Sequence, residues 1–445
     1  MKNILKYLIF SFLIIVSNNL HSQKKWTLEE CISYAKENNV EVIKQKIRTE
    51  ILVSDTKISK GNFLPDANFN ASQNLSLGNS FNVSTNVGQR ESSSNSFSLS
   101  SSLNIFNGFS DKYKLQKSKL EESKSEIKIE KIRFDLALNI TNKFLQVLFN
   151  KEIFLVTKQQ VDISKQNYDR LKKLYEKALI GKREVLEIES TLSSDQKEKN
   201  IAKNNVQNSL IELQELLGIK QFINFDIEEI KIKNSLNKDI KLTEDVLNRN
   251  PEIVSSKINL ELRKKDIKIS KASFYPRINL NYSYSSNYFH ILGQEDLVFN
   301  QETNQTEPHG FWVQLNNNRT HYIGLSAVFP IFNRFSTIEN NKKAKEELKI
   351  SEIDLKNKRQ VLRNKIKIAY NDVNTAESNL KAAKIAFNTQ KQAFDIVQKQ
   401  YLLGNINNYE FLESKTKLTR NNSEYIKAKY EYFFKWKILD FYFFK

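Results

Sequence analysis

The sequence predicts a mostly α-helical chain that also carries transmembrane β-strands. It is organised as two internal repeats, each a β-hairpin followed by a pair of long antiparallel coiled-coil helices. Three observations carry this: motifs recurring at constant offsets, two long stretches without glycine or proline, and four runs of alternating polar and apolar residues.

Self-similarity at a fixed spacing overrides any division of the chain by length alone. Asn38–Val42 (NNVEV) matches Arg249–Ile253 (RNPEI) and Phe63–Pro65 (FLP) matches Phe274–Pro276 (FYP), both 211 residues on. Leu103–Phe109 (LNIFNGF) matches Phe329–Phe335 (FPIFNRF), and Tyr175, Leu186 and Glu187 match Tyr401, Leu412 and Glu413, all 226 residues on. The difference between 226 and 211 is a 15-residue insertion between Pro276 and Phe332. The first repeat is thus expected over residues 23–250 and the second over residues 251–445.

Neither glycine nor proline occurs from Phe109 to Ile180 or from Ile331 to Leu403, so helix-breaking residues are kept out of both stretches. Apolar residues fall at Leu120, Ile127, Phe134, Leu138, Leu145, Phe149, Val156, Ile163, Leu171 and Leu174, mostly in steps of four and seven. That is a coiled-coil type of stripe on a helix about 95 to 105 Å long. A helix of that length cannot bury its stripe against itself. Each stretch ends near a glycine, Gly181 or Gly404, and another helical run follows. Helical hairpins are expected over about residues 109–217 and 334–435.

Between the helices the period drops to two. From Asp66 to Leu77 the polar Asn68, Asn70, Ser72, Asn74 and Ser76 alternate with Phe69, Ala71, Leu75 and Leu77. From Ser96 to Ile105, Phe97, Leu99, Leu103 and Ile105 alternate with serines and Asn104. The second repeat alternates Ile278, Leu280, Tyr282, Tyr284 and Tyr288 with Asn and Ser, then presents Ile323, Leu325, Ala327, Phe329 and Ile331. Strands are expected near residues 66–78, 95–106, 277–289 and 320–332, each about long enough to cross a bilayer obliquely. Pro65 and Pro276 mark the passage from helix to strand, Phe106 and Phe332 the passage back. One face apolar and the other almost wholly Asn and Ser suits a water-filled membrane barrel. A soluble sandwich shows the same alternation, but so small and polar a face packs poorly against a second layer. Four strands cannot close a barrel, and open edges do not survive in lipid, so several copies must assemble. Asn79–Asn95 and His290–Arg319 read as outer loops, the latter holding the insertion.

At the amino end Lys2 and Lys6 precede the short apolar run Tyr7–Val16 and a polar stretch to Gln23. This is the layout of a secretory signal peptide, expected over residues 1–22. The only cysteine, Cys31, lies within a helical pattern and reads as a buried helix residue, leaving no disulfide, Cys-based zinc cluster or lipid attachment. The net charge of +18 raises nucleic acid as a partner, but lysine and glutamate alternate at helical spacing, as on solvated faces. Nucleotide-binding glycine motifs are missing, and His21, His290, His309 and His321 read as surface or interfacial polar groups. No cofactor, metal site or catalytic set is expected, so the chain is read as a non-enzyme.

The order WTLEECISYAKENN, NPEI, FLP and FYP, IFNGF and PIFNRF, and YLLG…FLES resembles the TolC family of outer-membrane efflux proteins across nearly the whole mature chain. The resemblance implies a homotrimer whose twelve-stranded β-barrel continues into a twelve-helix periplasmic tube with a mixed equatorial collar. It implies a passive exit duct of an efflux or type I secretion system in the cell outer membrane, its partners a periplasmic adaptor protein and an inner-membrane pump. It also implies closure at the helical tips by acidic rings, carried over to Glu410 and Glu413, with Glu184 and Glu187 as first-repeat counterparts. Ala178 stands where the family usually has glycine, and glutamates stand where it usually has aspartates. On the residues alone, Asn407 and Glu410 also read as a helix N-cap and its third residue. The competing expectation is an exported coiled-coil spacer or adhesin without a pore.

Overall fold

The computed structural model describes residues 25–78, 80–82, 87–89, 91–219, 225–230, 243–301 and 303–443. The expected signal peptide, His21 and part of the first outer loop lie outside the described residues. In chain order the elements are α1 (Leu28–Asn38), α2 (Val40–Gly61), β1 (Asn68–Ser76), β2 (Ser80–Asn82), β3 (Val87–Gln89), β4 (Ser92–Asn107), α3 (Ser110–Glu176) and α4 (Lys182–Leu217). There follow α5 (Glu244–Arg249), α6 (Pro251–Ala272), β5 (Arg277–Ile291), β6 (Leu297–Asn300), β7 (Gln305–Pro308), α7 (Phe311–Asn317), β8 (Thr320–Val328), α8 (Ser336–Leu402) and α9 (Asn408–Tyr442).

The element bounds repeat the offsets of the motifs. Val40 to Pro251 and Gly61 to Ala272 each step 211 residues, so α2 and α6 both have 22 residues. Ser110 to Ser336 and Glu176 to Leu402 each step 226, so α3 and α8 both have 67, about 100 Å of helix.

Two compact units divide the chain, one of residues 1–47, 126–255 and 356–445, the other of 48–125 and 256–355. The first unit is helical. Its core joins Leu28, Cys31 and Ala35 of α1, Ile140, Phe144 and Leu148 of α3, Leu213 and Leu217 of α4, and Tyr430 and Phe433 of α9. Of the buried apolar residues of α3, Leu145, Val156 and Leu171 lie on the expected stripe, while Leu136, Ala137, Ile140, Phe144, Val147, Leu148 and Val161 lie off it. The helix is packed here on several sides, so its apolar arc is wider than a two-helix seam. Thr27 and Glu30 form a reciprocal capping box at the start of α1, with bonds of 3.2 and 3.0 Å. Cys31 is fully enclosed, and burial, reinforced by the Glu30 charge, pushes its thiol up to about 12.

In the second unit α2 and α3 meet through small hydroxyl side chains. Thr49 bonds Ser125 at 2.8 Å, Ser59 bonds Ser118 at 2.8 Å, and Thr56 donates to Glu122 at 3.2 Å. Outside these contacts α2 leaves a stripe uncovered: Val40, Ile43, Ile47, Ile51 and Ile58 are all exposed, at helical spacing.

The sheet runs β1-β4-β5-β8, antiparallel throughout. β1 pairs with Ser92–Ser100, the first half of β4, and β8 with Arg277–Ser285, the first half of β5. Because β4 and β5 are antiparallel, those halves lie at opposite ends of the sheet, and the two edge strands are staggered along it. β8 stops at Val328, short of the expected residue 332, since Pro330 has no N–H to continue a ladder. The expected long loop is more ordered than its composition suggests. Within it β6 and β7 form a hairpin and α7 packs beside β5. His290 belongs to β5 itself.

Candidate pore surfaces and helical tips

Directly opposed residues of an antiparallel pair share a face, so the register assigns the faces of the sheet. Phe69 stands opposite Leu99, which stands opposite Tyr284. Leu103 pairs with Leu280, which pairs with Leu325, and Tyr282 pairs with Ile323. The apolar rows of four separate strands thus merge into one face. The other face collects Asn68 with Ser100, Ser72 with Ser96, Ser98 with Ser285, and Asn104 with Asn279. A β-bulge between Asn104 and Phe106 makes Ile105 the extra residue and brings Phe106 round to the apolar side, opposite Ile278. The outer edges of β1 and β8 have no partner strand among the described residues.

The junctions repeat as well. Pro65 lies between α2 and β1, Pro276 between α6 and β5. Phe106 meets Phe109 edge-on at 5.2 Å, and Phe332, 226 residues later, meets Phe335 at 5.5 Å. Both turns hold two successive left-handed residues, Gly108 and Phe109 in one, Arg334 and Phe335 in the other. Only the first position demands glycine for space, since a Cβ on Gly108 would stand 2.4 Å from the Ala272 carbonyl oxygen.

At the tips, each long helix ends with a left-handed residue whose neighbour closes a six-residue turn. Leu179 N donates to Leu174 O at 2.9 Å, and Asn405 N to Gln400 O at 2.9 Å. The left-handed residues are Ala178 (φ 57) and Gly404 (φ 79). Gly181, the glycine singled out in the first tip, instead has extended backbone (φ −82) as the N-cap of α4. The turn is set by its hydrogen bonds, and Ala178 bears the strain.

The four candidate acids sit in the first turn, or the start of the second, of α4 and α9. Asn407 is the N-cap of α9, its Oδ1 accepting from Glu410 N at 2.9 Å, while Asn407 Nδ2 donates to Glu410 Oε1 at 3.0 Å. Glu413 pairs with Lys417 at 2.7 Å and Glu187 with Arg183 at 2.7 Å. The Glu184 carboxylate folds back over Gly181, where the helix dipole favours it. Capping therefore accounts for the local geometry of Glu410. His290 and His321 hydrogen-bond Asp296 and Tyr282 at 2.9 and 3.1 Å. Among the described residues no group of three or more His, Cys, Asp or Glu could hold a metal ion, and no helix is long and apolar enough to cross a membrane.

The sequence profile of the outer membrane efflux protein family matches residues 31–219 and 242–437, one block in each half of the chain. The chain belongs to that family. No curated protein sequence matches it. Among solved structures the fold is similar to that of the CmeC outer membrane channel of Campylobacter jejuni, at 18% identity and TM-score 0.78, covering 94% of this chain and 85% of that one. It is also similar to VceC of Vibrio cholerae, at 14% identity and TM-score 0.73, covering 94% of both chains. A third similar structure is the open state of the MtrE channel of Neisseria gonorrhoeae, at 16% identity and TM-score 0.72, covering 94% and 88%. As an outer membrane efflux protein the chain is a channel protein of the cell outer membrane and not an enzyme.

This outer membrane efflux protein also has tip contacts that sequence reasoning missed. Lys415 of α9 is buried, donating to Ser164 Oγ of α3 and pairing with Asp195 Oδ2 of α4. Nearer the tip, Tyr401 OH donates to Asn167 Oδ1 at 2.8 Å, and Arg170 donates to the Tyr401 and Leu402 carbonyls that end α8. Tyr401 stacks on Phe411 at 4.4 Å, and burial raises its hydroxyl above the usual range. A lysine on an apolar helix face is the available sequence signal. Lys415 lies between Phe411 and Leu418 in a chain with 69 basic residues, which drowns it.

Proposed function

We propose that three copies of this chain form the outer-membrane exit duct of a tripartite efflux or type I secretion system. Their sheets close into a twelve-stranded barrel and their helical hairpins into a tube. The observation that carries this reading is the continuity of one Asn/Ser face and one apolar face across four strands that end in two open edges. Such a sheet needs water on one side, lipid on the other, and a neighbour at each edge. The uncovered stripe of α2 supports assembly too, because exposed isoleucines at helical spacing need a partner helix. Residues 1–22 direct export, and residues 23–250 and 251–445 are the two repeats.

The duct is passive. Energy comes from an inner-membrane pump, reached through a periplasmic adaptor that engages the helices. The tips gate the pore: by symmetry Glu410, Glu413, Glu184 and Glu187 each become a ring of like charge that favours and traps cations. Capping and gating are compatible, since Glu410 uses one oxygen on Asn407.

Single-channel conductance in planar bilayers tests this, comparing wild type with the double variant Glu410→Ala, Glu413→Ala. A small, flickering wild-type current that rises in the variant is expected. An unchanged pore would leave the glutamates as caps alone, and no conductance from folded oligomer would return the chain to the spacer reading.

A further inference from the structure

We infer that α7, with the β6–β7 hairpin before it, is an interfacial anchor seated in the lipid boundary around the barrel, with Trp312 as its main lipid contact. The inference rests on the lipid-facing reading of the apolar sheet face.

The helix is fixed to the sheet where β5 runs on beyond its pairing with β8, which ends at Ser285. There Gln314 substitutes for the missing strand. Its Oε1 accepts from Phe289 N at 2.9 Å and its Nε2 donates to Phe289 O at 3.0 Å. Asn318 donates to Asn287 O at 2.7 Å, and Ser286 to Leu315 O at 2.6 Å. A polar edge that lipid could not satisfy is thereby closed by side chains.

Phe311 then carries the helix onto the apolar side. Its ring lies 5.0 Å from Tyr288 and 6.4 Å from Phe97, which share the face of Leu99 and Leu280. The next residue, Trp312, meets Phe311 edge-on at 5.1 Å yet is 78% exposed, and Val313 beside it is exposed too. The helix, FWVQLNN, has no charge in a chain where 27% of residues are charged. In the hairpin Leu297 and Phe299 are exposed on one face, and Leu297 is opposite Pro308. Of the acids there, Asp296 is bound by Tyr288 OH at 2.8 Å and His290 Nδ1 at 2.9 Å, and Glu307, opposite Val298 on the other face, accepts from Asn300 Nδ2 at 2.9 Å and Thr303 Oγ1 at 3.0 Å. The uncharged α7, with its exposed tryptophan and its ring contacts to a lipid-facing sheet, fits the membrane–water boundary, where an apolar ring with a polar N–H is most at home.

The chain has three tryptophans, Trp26, Trp312 and Trp436, so fluorescence isolates the site. The full-length protein is reconstituted in phosphatidylcholine vesicles with and without bromine on the upper acyl carbons, as wild type, as Trp312→Phe, and as Trp312→Phe with Leu325→Trp. Size-exclusion profiles confirm that the variants assemble. The expected result is strong bromolipid quenching in wild type that Trp312→Phe abolishes, and quenching restored by Leu325→Trp on the apolar face. If Leu325→Trp is quenched while Trp312 is not, the sheet faces lipid and the anchor is refuted; iodide access then tells solvent from a neighbouring copy as what meets Trp312. If neither is quenched, the lipid-facing reading fails and takes the anchor with it.

Discussion

Replacing Lys415 with methionine tests whether a buried charge pair fastens the second helical hairpin to the first. The Lys415 and Asp195 side chains are 6% and 17% exposed, and the lysine also holds Ser164. Without the ammonium, Asp195 keeps the Ser164 hydroxyl as its one partner among the described residues. Removing one member of a buried pair costs about 3 to 5 kcal/mol. The residual access of Asp195 to water places this case near about 3 kcal/mol by the same reasoning. At about 1.4 kcal/mol per decade, that predicts roughly hundredfold faster amide exchange if the helices open locally. Hydrogen exchange followed by mass spectrometry reads this on peptides spanning residues 190–200 and 410–420. The double variant Lys415→Met, Asp195→Leu should recover most of the protection, because an apolar pair of similar volume replaces an ionic one at little net cost. Wild-type exchange in the single variant, or equal exchange in the single and double variants, would refute the argument.

The left-handed positions give a paired expectation. Ala178→Gly should slow proteolysis at the first tip by relieving about 1 kcal/mol of strain. Gly108→Ala should lower the yield of folded protein, because its Cβ would also meet the Ala272 carbonyl; equal behaviour of both variants and wild type would contradict this. A third expectation concerns acid. The Lys131 hydrogen bond, with the Lys131, Lys365 and Lys358 charges, holds the Glu252 carboxyl below its usual range against the opposing effect of burial. A depressed folded value gives stability that is present above the ordinary glutamate range and lost as pH falls through the lowered one. Burial instead raises the carboxyl of Asp135, whose contribution has the opposite sign. Denaturation midpoints followed from pH 7 to below the ordinary glutamate range should therefore fall less steeply for Glu252→Gln than for wild type, and equal slopes would defeat the assignment.

The alternation of Phe69, Ala71 and Leu75 with asparagines and serines made the strands legible, because a period of two is a local property of sequence. The long helices were legible from missing glycine and proline. The Lys415–Asp195 pair was not, since its members are 220 residues apart and each sits in an ordinary helical context. The left-handed Ala178 was visible only as a departure from a resemblance, because alanine does not advertise its backbone. Within α3 the expected seam passed over Ile140 and Phe144, whose burial depends on which helices surround them. The insertion concealed a hairpin and a helix too short for any periodicity to register.

The stagger of the edge strands has a further consequence. The middle of β1, Ser72, is level with Asn287 of β5 through Ser96, whereas the middle of β8, Gly324, is level with Asn281. Those six residues amount to about 20 Å of axial slip across a single chain. In a closed barrel such slip sets strand tilt, and strand number with slip sets the radius. In the trimeric barrel proposed above, each chain's share of that slip is therefore held by its own ladder hydrogen bonds, and changing it would break them. On that proposal, whatever varies the calibre of the conduit acts on the helices, with the barrel as a fixed collar.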